Sequence, residues 1–164
     1  MTRRTKFVLT TMALLCFNAS GSVRADETLK YRVFLHTTFA QSQEVGDVDG
    51  HTASLVRFSG LASFPDGTVG TADFVGGFDY TKGSGPFSVY YNVTLNDGSV
   101  LWYKATGTAA ADGTKTLFNG TLSVLGGKGR FEGAKGDGTI NGVRITPLSV
   151  GADLYADFSI NIKK

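Results

Sequence analysis

The sequence predicts an all-β fold, an eight-stranded antiparallel up-and-down β-barrel. Three observations lead to it. From residue 29 onward apolar residues recur with a period of two, and no stretch carries the 3.6-residue stripe of an amphipathic helix. Three Asp-Gly pairs, Asp66-Gly67, Asp97-Gly98 and Asp112-Gly113, sit between strand-like runs and supply the positive φ that tight hairpins need. Eight such runs can be counted, the number that closes a small barrel. Closure removes the edges an open meander would expose, which favours a barrel over a two-sheet sandwich.

In chain order, the first run spans about 29–38, with His36 on the face of Arg32 and Phe34 and therefore expected at solvent. Ala40 to Gly50 follows as the one irregular stretch of any length; it is polar and acidic and is expected to cross a barrel mouth. The second run, 51–64, turns at Asp66-Gly67 into the third, 68–81. The fourth, 87–95, sets Phe87, Val89, Tyr91, Val93 and Leu95 on one face against Ser88, Tyr90, Asn92 and Thr94. Asp97-Gly98 leads to the fifth, 99–110, and Asp112-Gly113 to the sixth, 115–125. A glycine-studded turn over residues 126–138, six glycines in thirteen residues around Phe131 and Glu132, suits a tight loop folded against a sheet end. The seventh run is 136–146. The eighth, 152–162, repeats the alternation, with Leu154, Ala156, Phe158, Ile160 and Ile162 on one face. Parity leaves open whether these apolar faces line the barrel or lie outside it against another subunit.

The first 25 residues read as an export signal: Arg3, Arg4 and Lys6 precede an apolar stretch from Phe7 to Leu15, and Val23-Arg24-Ala25 offers a small-residue exit. That stretch is too short to span a bilayer permanently, so no stable membrane insertion is expected after cleavage. Cleavage after Ala25 leaves one domain, 26–164, large enough to bury roughly two-thirds of its unfolded surface. Cys16, the only cysteine, falls inside the signal, so the remaining chain has no internal disulfide. A lipid-attachment role for Cys16 is disfavoured by the bulky Leu15 before it, and a secreted or periplasmic location is expected. The formal charge of +2 reverses on cleavage, because four basic residues and no acid leave with the signal. The scattered Lys and Arg that remain give no footprint for nucleic acid.

At Leu122-Ser123-Val124-Leu125 and the glycine turn through Gly138, the chain resembles the allene oxide cyclase and dirigent-like barrels, in which a late strand enters a Gly-Gly-x-Gly-x-Phe-x-Gly turn. The matching residues are Gly126, Gly127, Gly129, Phe131 and Gly133, with Glu132 agreeing with the cyclases. The resemblance covers roughly 87–146 through its motifs and the rest through strand count. It implies an eight-stranded antiparallel barrel, often trimeric, that holds a small apolar molecule. The cyclases shape a fatty-acid epoxide and dirigent proteins orient phenoxy radicals, both by confinement more than by side-chain chemistry. The first strand departs from the cyclase pattern. Leu35 stands at the glutamate position, Thr37 at the asparagine position, and no proline occurs between Ala25 and Phe64.

Glu44, Asp47, Asp49 and His51 cluster in the expected mouth loop. Asp47-Val48-Asp49-Gly50 is only half a calcium loop, so no metal is expected and the loop reads as a solvated acidic segment. His36 and His51 are the only histidines, each of a type suited to general acid or base work, although a structural role is the simpler reading. His51 sits where a carboxylate could orient its ring. No Gly-x-Ser-x-Gly elbow occurs, and the glycine turn fits neither a dinucleotide fingerprint nor a P-loop, so no cofactor is expected. Tyr31, Leu35, Tyr91, Trp102 and Phe118 are candidates to wall a ligand pocket, to which Tyr103 and Tyr155 could add, although barrel core or a subunit interface is the simpler reading for these aromatics. Asn92-Val93-Thr94 and Asn119-Gly120-Thr121 match the glycosylation sequon but fall inside expected strands. The function expected is binding or steering of a small apolar molecule. Two alternatives stand beside it: a cyclase or isomerase with Glu44 or His51 as polarising group, and a non-catalytic barrel with a filled core.

Overall fold

A computed structural model describes residues 26–163; the expected signal segment and Cys16 lie outside them. The strands are β1 (Glu27–Glu44), β2 (His51–Ser63), β3 (Val69–Thr81), β4 (Gly85–Thr94), β5 (Val100–Asp112), β6 (Lys115–Lys128), β7 (Lys135–Arg144) and β8 (Leu154–Lys163). Each pairs antiparallel with the next, and β1 pairs with β8 from Glu27 opposite Ile162 to Leu35 opposite Leu154, so the sheet closes. Two single-turn 3-10 segments, Gly129–Phe131 and Leu148–Val150, are the helical parts of the described chain.

The hairpins form as their residues dictate. Gly67, Gly98 and Gly113 hold φ of +85°, +80° and +59°. Asp66 and Asp97 each accept a backbone N–H two residues on, from Thr68 and Ser99 at 2.9 and 2.8 Å, which fixes the turn before the strand resumes. Closure also settles the parity: Phe87, Val89, Tyr91, Val93 and Leu95, and likewise the apolar face of β8, point inward and are buried.

Two expectations need correction. Ala40–Gly50 is not one irregular stretch, because β1 continues through Glu44 and its end pairs with the start of β2, Ala40 opposite Val56 and Glu44 opposite Thr52. A shift of register between Thr37 and Phe39 inserts Thr38 and lets the polar end of β1 keep its ladder while projecting past the core. The loop proper is residues 45–50. The glycine turn is also shorter than expected, since residues 126–128 remain in β6 and 135–138 belong to β7. There Leu125 is an extra residue opposite the Trp102–Tyr103 step, half-exposed, and Gly126 absorbs the kink at φ +141°.

The two barrel ends differ. One is closed: Phe131 folds in from the glycine turn, is 1% exposed and belongs to the same buried core as Phe64, Leu95 and Leu101. Gly127 is required there, since a Cβ would lie 2.5 Å from Phe131 Cβ and 2.4 Å from the Val100 carbonyl oxygen. The middle is filled by stacked rings: Tyr31 on Phe158 and Tyr91 on Tyr103, each pair at 5.0 Å, and Phe58 on Phe74 at 4.5 Å. Tyr31 donates to the Tyr103 hydroxyl at 2.6 Å, and burial pushes both phenols far above their ordinary range, so the pair stays neutral. Phe131→Ala should destabilise the protein by about 3–5 kcal/mol through the cavity it leaves, read as a lowered urea midpoint. A loss under about 1 kcal/mol would show that Phe131 does not close this end.

Candidate functional site at the open end of the barrel

The opposite end carries the loop 45–50, the β3–β4 turn, the β5–β6 turn and the long β7–β8 segment, residues 145–153. Inside it the barrel retains a cavity of about 180 Å³. Phe58, Phe78, Phe118 and Leu154 form its apolar walls, and Leu148 of the β7–β8 segment leans over it. Ser42, Thr52, Ser54, Tyr80 and Arg144 add polar groups around the rim. Beneath it a crevice of only about 20 Å³ runs between Phe74, Phe87 and Tyr91, where the packed core begins. Wider depressions of about 520 to 590 Å³ lie on the outer wall among strand-surface residues such as Gln41, Tyr90 and Arg32. The interior cavity is the better candidate, because enclosure by the barrel strips water from whatever it holds.

Strand parity positions the polar groups. Tyr80 continues the inward series Ala72, Phe74, Gly76, Phe78 along β3, and its hydroxyl is buried without a hydrogen-bond partner. Burial pushes its phenol up, with the Arg144 charge pulling the other way, so Tyr80 remains a phenol at neutral pH. Arg144 sits opposite both Thr116 and Leu154 in the ladders and so faces inward, donating to the Thr116 hydroxyl at 2.8 Å. Thr116 is itself 1% exposed. Ser42 and Ser54 satisfy each other at 2.7 Å.

The β7–β8 segment is tied across this end by specific bonds. Thr37 N–H donates to the Gly151 carbonyl at 3.0 Å, Asp153 N–H to the Thr146 hydroxyl at 2.7 Å, and His36 pairs with Asp153 at 2.7 Å. His36 is exposed, as its parity predicted, and its ring packs so closely on Gly151 that a Cβ there would lie 2.3 Å from it.

The candidates from the sequence are dispersed. Phe118 lines the cavity and Tyr91 the crevice below it, while Tyr31 and Leu35 belong to the packed core. Trp102 faces the outer wall, because Leu101 and Tyr103 on either side take the inward positions, and it stacks under the Lys128 ammonium at 5.6 Å. Gly126, Gly127, Gly129, Phe131 and Gly133 build the closed end, at the far side of the barrel from the cavity. Glu44 and His51 do not form a pair. Glu44 lies opposite Thr52 at the exposed tip of β1, whereas His51 lies opposite Thr81 on the outer face. Tyr80, Thr116, Arg144 and Leu148 were missed by the sequence reading. The first three could have been found by extending the inward parity of Phe78, Phe118 and Ile140 by one or two rungs.

His51 performs a different task. Its Nδ1 meets Asp47 Oδ1 at 2.5 Å and its Nε2 meets Asp79 Oδ1 at 2.6 Å, so one ring clamps the loop 45–50 to the end of β3. Both ring nitrogens are thereby taken up by carboxylates, and among the described residues no group of His, Cys, Asp and Glu is placed to hold a metal ion. The Asp79 bond first, then the Asp47 bond, raises the imidazole above its ordinary value near 6.5, and the same contact holds Asp47 below the usual carboxylate range.

The chain matches the pterocarpan synthase dirigent protein GePTS1 at TM-score 0.53 and 13% identity, covering 95% of this chain and 98% of that one. The chain has the dirigent-like barrel fold. A second pterocarpan synthase dirigent protein, PsPTS1, matches at TM-score 0.50 and 11% identity, over 84% and 95% of the two chains. A conserved protein of unknown function from Rhodopseudomonas palustris matches at TM-score 0.52 and 10% identity, over 85% and 99%. No family model and no curated protein sequence matches the chain. Identities this low carry the dirigent-like architecture and leave the chemistry to the residues of this barrel.

Because the folded His51 value lies above the unfolded one, the clamp's contribution is complete below about pH 6.5 and is lost as pH rises through the folded value. NMR titration should give a His51 midpoint above that of a free histidine, with amide exchange in residues 45–50 accelerating across the same range. His51→Gln should abolish that step in exchange; an unchanged step would place the titrating group elsewhere.

Proposed function

We propose that the protein encloses a small, largely apolar molecule in the cavity at the open end of its barrel and binds it or holds it in one conformation. The observation that carries this reading is the cavity of about 180 Å³ with aromatic walls and a few polar groups at its rim, in a barrel otherwise packed with rings. Small-molecule sites have this composition, although drug-sized ligands occupy about 300 Å³ or more. A dry apolar cavity of about 150 Å³ accepts benzene, so the space here suits a single-ring compound or a short aliphatic chain. The dirigent-like fold supports the reading as architecture, since the barrel supplies rigid walls that lose little entropy on binding.

Catalysis, where present, would be isomerisation or cyclisation of a ligand already prone to react, with enclosure supplying orientation. The groups at the cavity that could polarise such a ligand are the Tyr80 hydroxyl and the Arg144 guanidinium, in place of the more distant Glu44 and His51. We propose further that the protein is exported, on the strength of the first 25 residues, and self-associates through the outer wall. Phe39, Leu55 and Tyr90 are about half-exposed on that wall, apolar groups that a second barrel would cover.

Native mass spectrometry of the protein purified from an exporting host tests the enclosure reading. The expected result is an added mass that leaves on denaturation, or one acquired from a panel of single-ring and short-chain compounds. Ser54→Phe, which fills the cavity from its rim, should abolish the adduct. A clean peak throughout the panel would favour the filled, non-binding barrel, which the ring-packed middle already resembles.

A further inference from the structure

The rim of the cavity holds a positive charge with no negative partner. Arg144 faces inward, and among the described residues no carboxylate lies within ion-pairing distance of its guanidinium; its hydrogen-bond partner there is the neutral Thr116 hydroxyl. One of five N–H donors is accounted for by that bond, and the planar fork that remains matches a carboxylate. Tyr80 supplies the second observation. Its side chain lines the same cavity, is 6% exposed, and its hydroxyl is buried with no acceptor. Buried hydroxyls are normally bonded, and one left open beside a cation points to an acceptor that arrives with the ligand.

We propose that the cavity is a site for a small carboxylate with an apolar body, whose anionic end is bound by Arg144 and Tyr80 and whose ring or chain lies among Phe58, Phe78 and Phe118. This rests on the enclosure reading above and adds the ligand's class to it. The geometry favours an anion over a neutral polar molecule for two reasons. Both open groups at the rim are donors in their neutral-pH states, so an acceptor-only head uses them fully. Arg144 lies in surroundings drier than bulk water, where a charge-assisted bond is worth roughly twice a neutral one. Thr116 acts as a positioning residue: its hydroxyl fixes one side of the guanidinium without neutralising it, which an aspartate there would do. Glu44, opposite Thr52 in the row that leads to Tyr80, ends on an exposed strand tip where an ion pair would be worth little, and Asp153, which precedes Leu154, is paired with His36.

The probes are benzoate and trans-cinnamate against benzamide and cinnamamide, which keep the apolar body and remove the charge, measured by calorimetry at neutral pH. The acids should bind at least about tenfold more tightly than the amides. Arg144→Met should remove that preference while leaving amide binding within a few-fold. Arg144→Lys should restore part of it, and Tyr80→Phe should weaken the acids by a few-fold only. Circular dichroism and melting curves establish that each variant is folded, and Thr116→Val offers a milder route to the same loss should Arg144→Met not fold. Equal affinity for acids and amides, or a preference unmoved by Arg144→Met or Thr116→Val, would overturn the inference while leaving enclosure intact. Binding of neither acids nor amides, with other neutral compounds also excluded, would remove the enclosure reading and this inference together.

Discussion

The ladder between β1 and β8 is the constraint on which the rest depends. Without it the chain would be a meander with two unpaired edges and no distinction between an inner and an outer face. With it, every strand has two partners, and the side-chain period of two assigns each residue to the interior or the wall. A tube of eight strands has a small fixed bore. Whatever enters it is therefore a matter of volume, and the buried Phe and Tyr rings take up most of it.

How that volume is distributed decides what the barrel can do. Tyr31, Tyr91, Tyr103 and Phe158 occupy the middle as mutually stacked rings, and the Tyr31–Tyr103 hydrogen bond satisfies two polar atoms far from water. Phe131 seals one end from a turn that only glycines at 127 and 129 can form, the second at φ +61° with Ser99 pressed against it. Towards the other end the inward positions become Thr52, Ser54, Thr116 and Arg144, polar groups that need partners. The cavity lies where ring filling stops and polar side chains begin. It is bounded on top by a segment whose bonds run to β1 and to itself.

Most of the fold was legible in the sequence because turns and alternation are local signals. The Asp-Gly pairs placed three hairpins, and apart from the end of β1 the strands begin and end within about three residues of the runs read from spacing. Ala40–Glu44 was misjudged because a polar strand end beyond the core gives no alternation, and what makes it a strand is its pairing with Thr52–Val56, a contact set by the ladder. Trp102 was misplaced for the opposite reason: a large aromatic suggests an interior, but its neighbours Leu101 and Tyr103 occupy the inward positions, which leaves its ring on the outer wall. The glycine turn was the clearest motif in the chain and proved to be architecture at the closed end. The candidate site was hardly legible, because its members come singly from different strands and no spacing links Tyr80 to Arg144.

That separation has a physical logic. A barrel of this kind resembles its neighbours at 10–13% identity because closure and hairpin turns restrict backbone geometry and little else. The rim at the open end is freed from those restrictions: a residue there needs only inward parity and a tolerable partner. Arg144 meets both conditions through Thr116, a hydroxyl that holds the guanidinium in place without neutralising it. A core built for stability alone would set leucine or isoleucine at 144, since a desolvated cation without an anion is destabilising. The arginine is tolerated because the cavity remains open enough to hydrate it, and a molecule that displaces the water while supplying the missing charge recovers the desolvation that the folded barrel alone leaves uncompensated.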